Sequence, residues 1–260
     1  MNANDVMKEL SKKHRRFPKA ALNSALAKRS EVAPLMLEQL NRLNAALEAS
    51  LDAPTEAEHR VLLKRAVTAP CSLFYGFFLA AEWKQKEAFQ PFTQLLAWTQ
   101  AMLPNLLSEP VVTQDVASRV MAECYDGDPL SLFKLLMDRY VDDSTRFWQW
   151  RTLIRVAIRD QIDHDTLRSL LARAFDELDQ KQDLMVWSGW ESIIIYFGFT
   201  ELVPLVERAH AAERMFERTM DNFNKEWAYA RAHPECPFAG DPIEYYRGLT
   251  TEVESAIEYR

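Results

Sequence analysis

Tyr125-Asp126-Gly127-Asp128-Pro129-Leu130 spells out the start of a helix. Gly127 supplies the turn. The Asp128 carboxylate accepts hydrogen bonds from the free N–H groups of the first helical turn. Proline suits that turn because its missing N–H has no intrahelical partner there. Three other segments share the layout: Gln90-Pro91-Phe92, Asp165-Thr166-Leu167 and Val203-Pro204-Leu205. Their second residues stand at 91, 129, 166 and 204, at spacings of 38, 37 and 38. Such even spacing marks a repeat array in which each unit is one helical hairpin. The predicted fold is all-α: an α-solenoid of about five stacked hairpins.

Two columns of this register hold. Phe92, Leu130, Leu167 and Leu205 follow the anchors by one residue, and Trp83, Met121, Ile158 and Tyr196 precede them by eight. A third column, thirteen before the anchor, reads Phe78, Val116, Leu153 and Glu191, and breaks at Glu191. Helices are expected in front of the anchors at Ser72–Lys84, Thr113–Cys124, Thr145–Asp160 and Leu184–Phe197. Behind the anchors they are expected at Phe92–Met102, Leu130–Tyr140, Leu167–Leu178 and Leu205–Arg218. Upstream, Ala33-Pro34-Leu35 reads as a fifth start, Thr55–Val67 as an extra helix, and the residues after Phe17-Pro18 as the partner of the first hairpin. After Arg218 the register stops. Residues 1–218 are therefore read as the repeat domain. Residues 219–260, rich in Trp, Tyr and Phe, are read as a C-terminal extension that packs on it as a helical cap.

Composition agrees. Six glycines in 260 residues argue against an all-β chain, which needs glycine at its turns. With 31 Lys+Arg against 38 Asp+Glu the net charge is −7, which repels a polyanion on average. Cys71, Cys124 and Cys236 stand far apart with no CxxC pair, as expected of reduced thiols. The start Met1–Asp5 is polar with no apolar run behind it, and the longest apolar run, Cys71–Ala81, is too short for a membrane span. A cytoplasmic protein without membrane contact is expected.

Phe17-Pro18 with Ala21-Leu22, the stretch Phe78–Leu96, Tyr125–Leu130 and Gly198–Val206 together resemble an uncharacterised bacterial family of HEAT-like helical proteins, classed as a domain of unknown function. The resemblance covers approximately residues 15–215. It implies a HEAT-like fold and brings no activity or catalytic residue. Some members carry a Cys-rich zinc motif at the C-terminus; here residues 221–260 hold one cysteine, Cys236, and depart from that pattern.

Candidate chemistry concentrates in Thr145–Asp160. Arg151, Arg155 and Arg159 recur at steps of four on one helix face, with Arg146 ahead of them. Forked guanidinium groups suit an acidic partner segment or phosphates; the alternative is a solvated face salt-bridged to residues such as Asp176 or Glu191. Among the tryptophans of successive front helices, Trp148 and Trp187 are the candidates for partial exposure, whereas Trp150 and Trp190 fall on apolar stripes. Arg151, Arg155, Arg159, Trp148 and Trp187 are thus the candidate binding residues. Asp160, Asp163, His164 and Asp165 read as helix caps rather than a metal site. His233 and Cys236 lack further ligands. Lys12, Lys13, His14, Arg15 and Arg16 form a basic terminal run. No catalytic motif, metal site or cofactor is expected. The expected function is a non-catalytic protein–protein interaction scaffold with a protein or peptide partner. Its alternative is a nucleic-acid enzyme of the HEAT-like DNA glycosylase type, which the net charge opposes.

Overall fold

Fourteen α-helices and no strand make up the described residues of the computed structural model: 1–12, 17–68, 72–98, 107, 115–179, 183–215, 217–238 and 243–257. The chain is all-α. It divides into two units. Unit one comprises Met1–Val116, Glu123–Asp126 and Tyr246–Arg260; unit two comprises Ala117–Ala122 and Gly127–Tyr245. The C-terminal residues after 218 are thus shared out, with the change of unit at Tyr245–Tyr246.

In unit one, α1 (Ala3–Leu10) starts in a capping box. Asn2 Oδ1 accepts from the Asp5 N–H at 2.8 Å, and the Asp5 carboxylate accepts from the Asn2 N–H at 3.4 Å. Ala3, Val6, Met7 and Leu10 form its buried face. Next come α2 (Lys19–Ala27), α3 (Arg29–Leu51), α4 (Glu56–Thr68), α5 (Leu73–Trp83) and α6 (Phe89–Leu96). The spine is α3, which packs on each of the other five. Val32, Met36, Leu40, Leu43 and Leu47 recur every three or four residues on its buried side. Pro34 lies inside α3, so Ala33-Pro34-Leu35 is not a start. As the sixth residue of α3 it lies past the first turn, so it removes the bond to the Ser30 carbonyl, a cost that the buried face of the helix outweighs. α5 is buried from Leu73 through Ala81, and Glu82 is its exposed residue. Its Phe77 meets Phe92 of α6 edge-on at 4.8 Å. The last helix, α14 (Leu249–Ile257), packs on α5. The Tyr246 hydroxyl donates to the Phe78 carbonyl at 2.9 Å, and the Leu249 N–H donates to the Glu82 carboxylate at 3.0 Å.

Unit two takes Ala117–Ala122 from α7 (Val116–Cys124). It continues with α8 (Pro129–Met137), α9 (Asp143–Ile158), α10 (His164–Glu177), α11 (Leu184–Phe197), α12 (Val203–Ala211) and α13 (Met220–Ala232). Alternate helices pack in order, α8 on α10 on α12 and α9 on α11 on α13, which makes two rows. All four sequence anchors fall within the first three residues of a helix. Asp128 caps α8 by accepting from the Leu130 N–H at 2.9 Å, and Gly127 makes the preceding turn at φ 102°. At α10 the cap is Asp163, not Asp165: Asp163 accepts the Thr166 N–H at 2.8 Å and its hydroxyl at 2.6 Å, while Asp165 pairs with Arg168. The hydrogen bonds to Thr166 hold the Asp163 carboxyl below its usual pKa.

The apolar columns are partly core. Phe92 and Leu167 are buried, whereas Leu130 is exposed and Leu205 half-buried. In the broken column Glu191 is as buried as Phe78 and Leu153, because it carries its own charge partners. Helix ends differ from expectation mainly behind the anchors. There α12 stops at Ala211 rather than running to Arg218, and Glu213 beyond it has φ 54°. Residues 99–102 and 113–114 of the expected helices, together with Cys71, lie outside the described residues, as do Lys13–Arg16 of the basic run; Lys12 pairs with Glu9.

Candidate binding site

The site is organised by α9, whose N-terminus is fixed by Asp142 through the Ser144 N–H at 2.9 Å and the Thr145 N–H at 3.2 Å. One face of α9 carries the arginine stripe. Arg155 is fully buried: its Nε donates to the Glu244 carbonyl at 2.7 Å and its guanidinium to the Ser118 hydroxyl at 3.0 Å. Arg119 of α7, also buried, pairs with the Glu244 carboxylate at 3.2 Å. Arg159 is half-buried, with its guanidinium 5.4 Å from the centre of the Tyr245 ring. Three arginines therefore hold one short stretch of the chain's own C-terminal region by its backbone, its carboxylate and its ring.

The first arginine of the stripe does different work. Arg151 is half-buried, lies over the Trp148 ring at 5.1 Å, and lines a cavity of about 720 Å³ within unit two. Phe147, Trp150 and Ile154 of α9 form one wall. Met185, Ser188, Gly189 and Ser192 of α11 form another. Arg218, then Lys225, Glu226 and Tyr229 of α13, and finally Pro237 and Phe238 complete it. Two details fix the shape. Gly189 lets α11 approach the indole edge of Trp150, and Phe238 packs on Tyr196 with ring centres 5.3 Å apart. Burial, with Tyr245 and Cys236 nearby, pushes the Tyr196 phenol up to about 12.

A charge network lies behind the α11 wall. The buried Glu191 accepts from His210 at 2.7 Å and from Arg218 Nε, and Arg218 also reaches Glu226 at 2.8 Å. Burial alone would lower the Arg218 pKa; its bonds to Glu226 and Glu191 outweigh that and raise it. A second buried pair, Arg146 with Asp183 at 2.5 Å, ties α9 to the start of α11, and Arg146 Nε donates to the Leu136 carbonyl at 2.7 Å.

The five candidate residues thus separate. Arg151 lines the cavity, and Trp148 meets its guanidinium without lining the cavity itself. Arg155 and Arg159 lie under the C-terminal stretch. Trp187 is fully buried and not part of an exposed patch: it packs on Phe175 and Trp190, Arg214 stacks over its ring at 5.0 Å, and its indole donates to the Asp179 carbonyl at 2.9 Å. A tryptophan this large is partly exposed only where no neighbour is bulky enough to cover it, and Phe175 and Trp190 both are. Glu191, proposed as a partner for the stripe, instead serves His210 and Arg218. Sequence reading missed Arg119 and Glu244, which are far apart in the chain, and the serine–glycine wall of α11. The one charged residue in an apolar column, Glu191, was the available signal for the network.

Among the described residues no group of three or more His, Cys, Asp or Glu side chains is placed to hold a metal ion, and no helix is long and apolar enough to cross a membrane. Cys124 is buried, with its thiol pushed up by burial, and Cys236 is exposed. Comparison with curated proteins and with solved structures gives no match. A family match spans most of the chain, from residue 1 to residue 223 in the first turn of α13, and the chain belongs to that family, described as protein of unknown function (DUF1186).

Proposed function

We propose that the protein is a non-catalytic interaction module whose arginine face in unit two holds an acidic–aromatic segment of a protein partner. The observation that carries this reading is the grip on Glu244–Tyr245. Arg155 takes a backbone carbonyl, Arg119 a carboxylate and Arg159 an aromatic ring, all from two adjacent residues. These are the contacts by which a peptide is recognised: the main chain gives affinity, and the carboxylate and ring give specificity. The two rows of helices in unit two support the stacked-hairpin, HEAT-like reading, and such stacks commonly present extended binding surfaces. No observation favours the DNA glycosylase alternative. Two of the arginines it would use, Arg155 and Arg159, are engaged by Glu244 and Tyr245 of the chain itself, and the net charge of −7 opposes a polyanion.

The reading is tested with a fluorescein-labelled peptide carrying residues 240–246 and the full chain bearing Glu244→Ala with Tyr245→Ala. The variant should bind this peptide at least about tenfold more tightly than the wild-type chain, whose face is already filled (about 1.4 kcal/mol). Adding Arg159→Ala, or changing the peptide glutamate to lysine, should reverse the gain. Equal affinity of both chains, or indifference to the glutamate, overturns the reading.

A further inference from the structure

We propose that Arg208 and Arg214, which bracket the end of α12 in unit two, form a binding site for the phosphate group of a small molecule. The two guanidiniums converge on one ring: each lies 4.7 Å from the centre of Phe175, in α10. Arg214 also lies 5.0 Å from the centre of the Trp187 ring, in α11. Phe175 and Trp187 are both buried, so the rings hold the cations in place and leave ligand contact to the guanidiniums.

This pair of charges is incomplete. Arg214 is only 9% exposed, yet no carboxylate among the described residues is in ion-pair contact with it or with Arg208. Its Nη1 donates to the Phe175 carbonyl at 3.3 Å, a long bond. Its Nε is enclosed without a partner. Nη2 is neither enclosed in that way nor bonded among the described residues, so it is the end of the side chain that reaches the surface. Burial and the neighbouring Arg208 hold the Arg214 pKa below its ordinary value, and Asp176 acts the other way. A charge withdrawn from water is normally paired, and a like charge beside it adds to the cost of leaving it unpaired. An anion bound between Nη2 of Arg214 and the exposed Arg208 supplies the missing partner to both.

The backbone points to the same place. Glu213 and Glu217 flank the buried Arg214 and Met215 with φ 54° and 49°, a left-handed conformation that residues other than glycine rarely adopt. Strained residues of this kind cluster at binding sites. Charge then identifies the ligand. Two guanidiniums are balanced by a dianion, and the oxygens of a tetrahedral phosphate serve two forks at once, whereas a planar monoanionic carboxylate matches one. Glu207, Glu213 and Glu217 are exposed on the same segments and repel a long polyanion, which favours a small molecule over nucleic acid. The site shares no residue with the Glu244–Tyr245 contacts, so it stands or falls independently of the peptide reading.

The probes are inorganic phosphate, phenyl phosphate and acetate, titrated by calorimetry against the full chain at constant ionic strength and at a pH where phosphate is mainly the dianion. Phosphate should bind at least about tenfold more tightly than acetate and raise Tm. Tighter binding of phenyl phosphate assigns the site to organic esters and tighter binding of inorganic phosphate to the free ion; either supports the proposal. Arg208→Gln, at an exposed position, should weaken phosphate binding at least about fivefold and abolish the rise in Tm. Arg214→Gln should do the same, and Arg159→Ala on α9 should have no effect. The proposal is overturned if phosphate and acetate bind alike, if Arg208→Gln leaves phosphate binding unchanged, or if Arg159→Ala removes it. Failure of Arg214→Gln to fold leaves the Arg208→Gln comparison to decide.

Discussion

Gly189 shows how much of unit two rests on one missing methyl group. A Cβ there would stand 2.2 Å from Trp150 Cδ1 and 2.9 Å from Cγ, and Trp150 has nowhere to go because it is buried. Glycine normally weakens a helix by up to about 1 kcal/mol relative to alanine. Its presence in the middle of α11 therefore reflects the close approach to α9. Gly189→Ala should gain that propensity and lose more through overpacking, typically about 1–3 kcal/mol. The expected net is a destabilisation of about 1–2 kcal/mol, read as a fall in Tm of roughly 3–6 °C by scanning calorimetry. An unchanged or higher Tm would show that the two helices separate without cost. Nothing in the sequence announced this contact. A lone glycine in an apolar run is compatible with a bend, a cap or a crossing, and only the three-dimensional partner decides.

At the scale of elements, the helices were legible and their surroundings were not. Leu184–Phe197 was predicted with the bounds it has, and Asp143–Ile158 lies within two residues of the expected range. Periodicity and capping chemistry are local, so the chain displays them directly. Pro34 misled because the packed apolar face of α3 carries the helix through a proline in its second turn, while the local sequence pattern is that of a helix start. The arginine stripe was visible at steps of four, but its fate depends on Glu244, 89 residues beyond Arg155. Long-range partners leave no local trace, which is why Arg155 read as a surface residue and is buried. The cap of α9 offers a test at this level, since this helix carries both the cavity wall and the arginine stripe. Asp142→Ala should cost about 1 kcal/mol and lower the urea midpoint with the m-value unchanged. No change in the midpoint would mean that the neighbouring Asp143 takes over the cap.

For the whole molecule the question is whether the residues after 218 are an appendage or part of both units. Each unit uses its own share. In unit two, α13 with Pro237 and Phe238 completes the cavity, Glu226 meets Arg218, and Glu244 satisfies Arg119 and Arg155. In unit one, Val253 and Ala256 of α14 are buried, and Tyr246 and Leu249 tie their stretch to α5. A chain ending at Arg218 would leave Arg155 without the Glu244 carbonyl and expose apolar surface on α5 and α11. A buried guanidinium stripped of an acceptor is costly in itself, and the lost apolar burial adds to it. Several kcal/mol are at stake, so the truncated chain should melt at least about 10 °C below the full chain. It should also bind the dye 1-anilinonaphthalene-8-sulfonate where the full chain does so weakly. A truncated chain that melts within about 2 °C of the full one, with no added dye binding, would make the C-terminal residues a dispensable cover. It would also separate the two sites: the arginine face would then be open in a stable protein, and the labelled peptide could be tested on it directly.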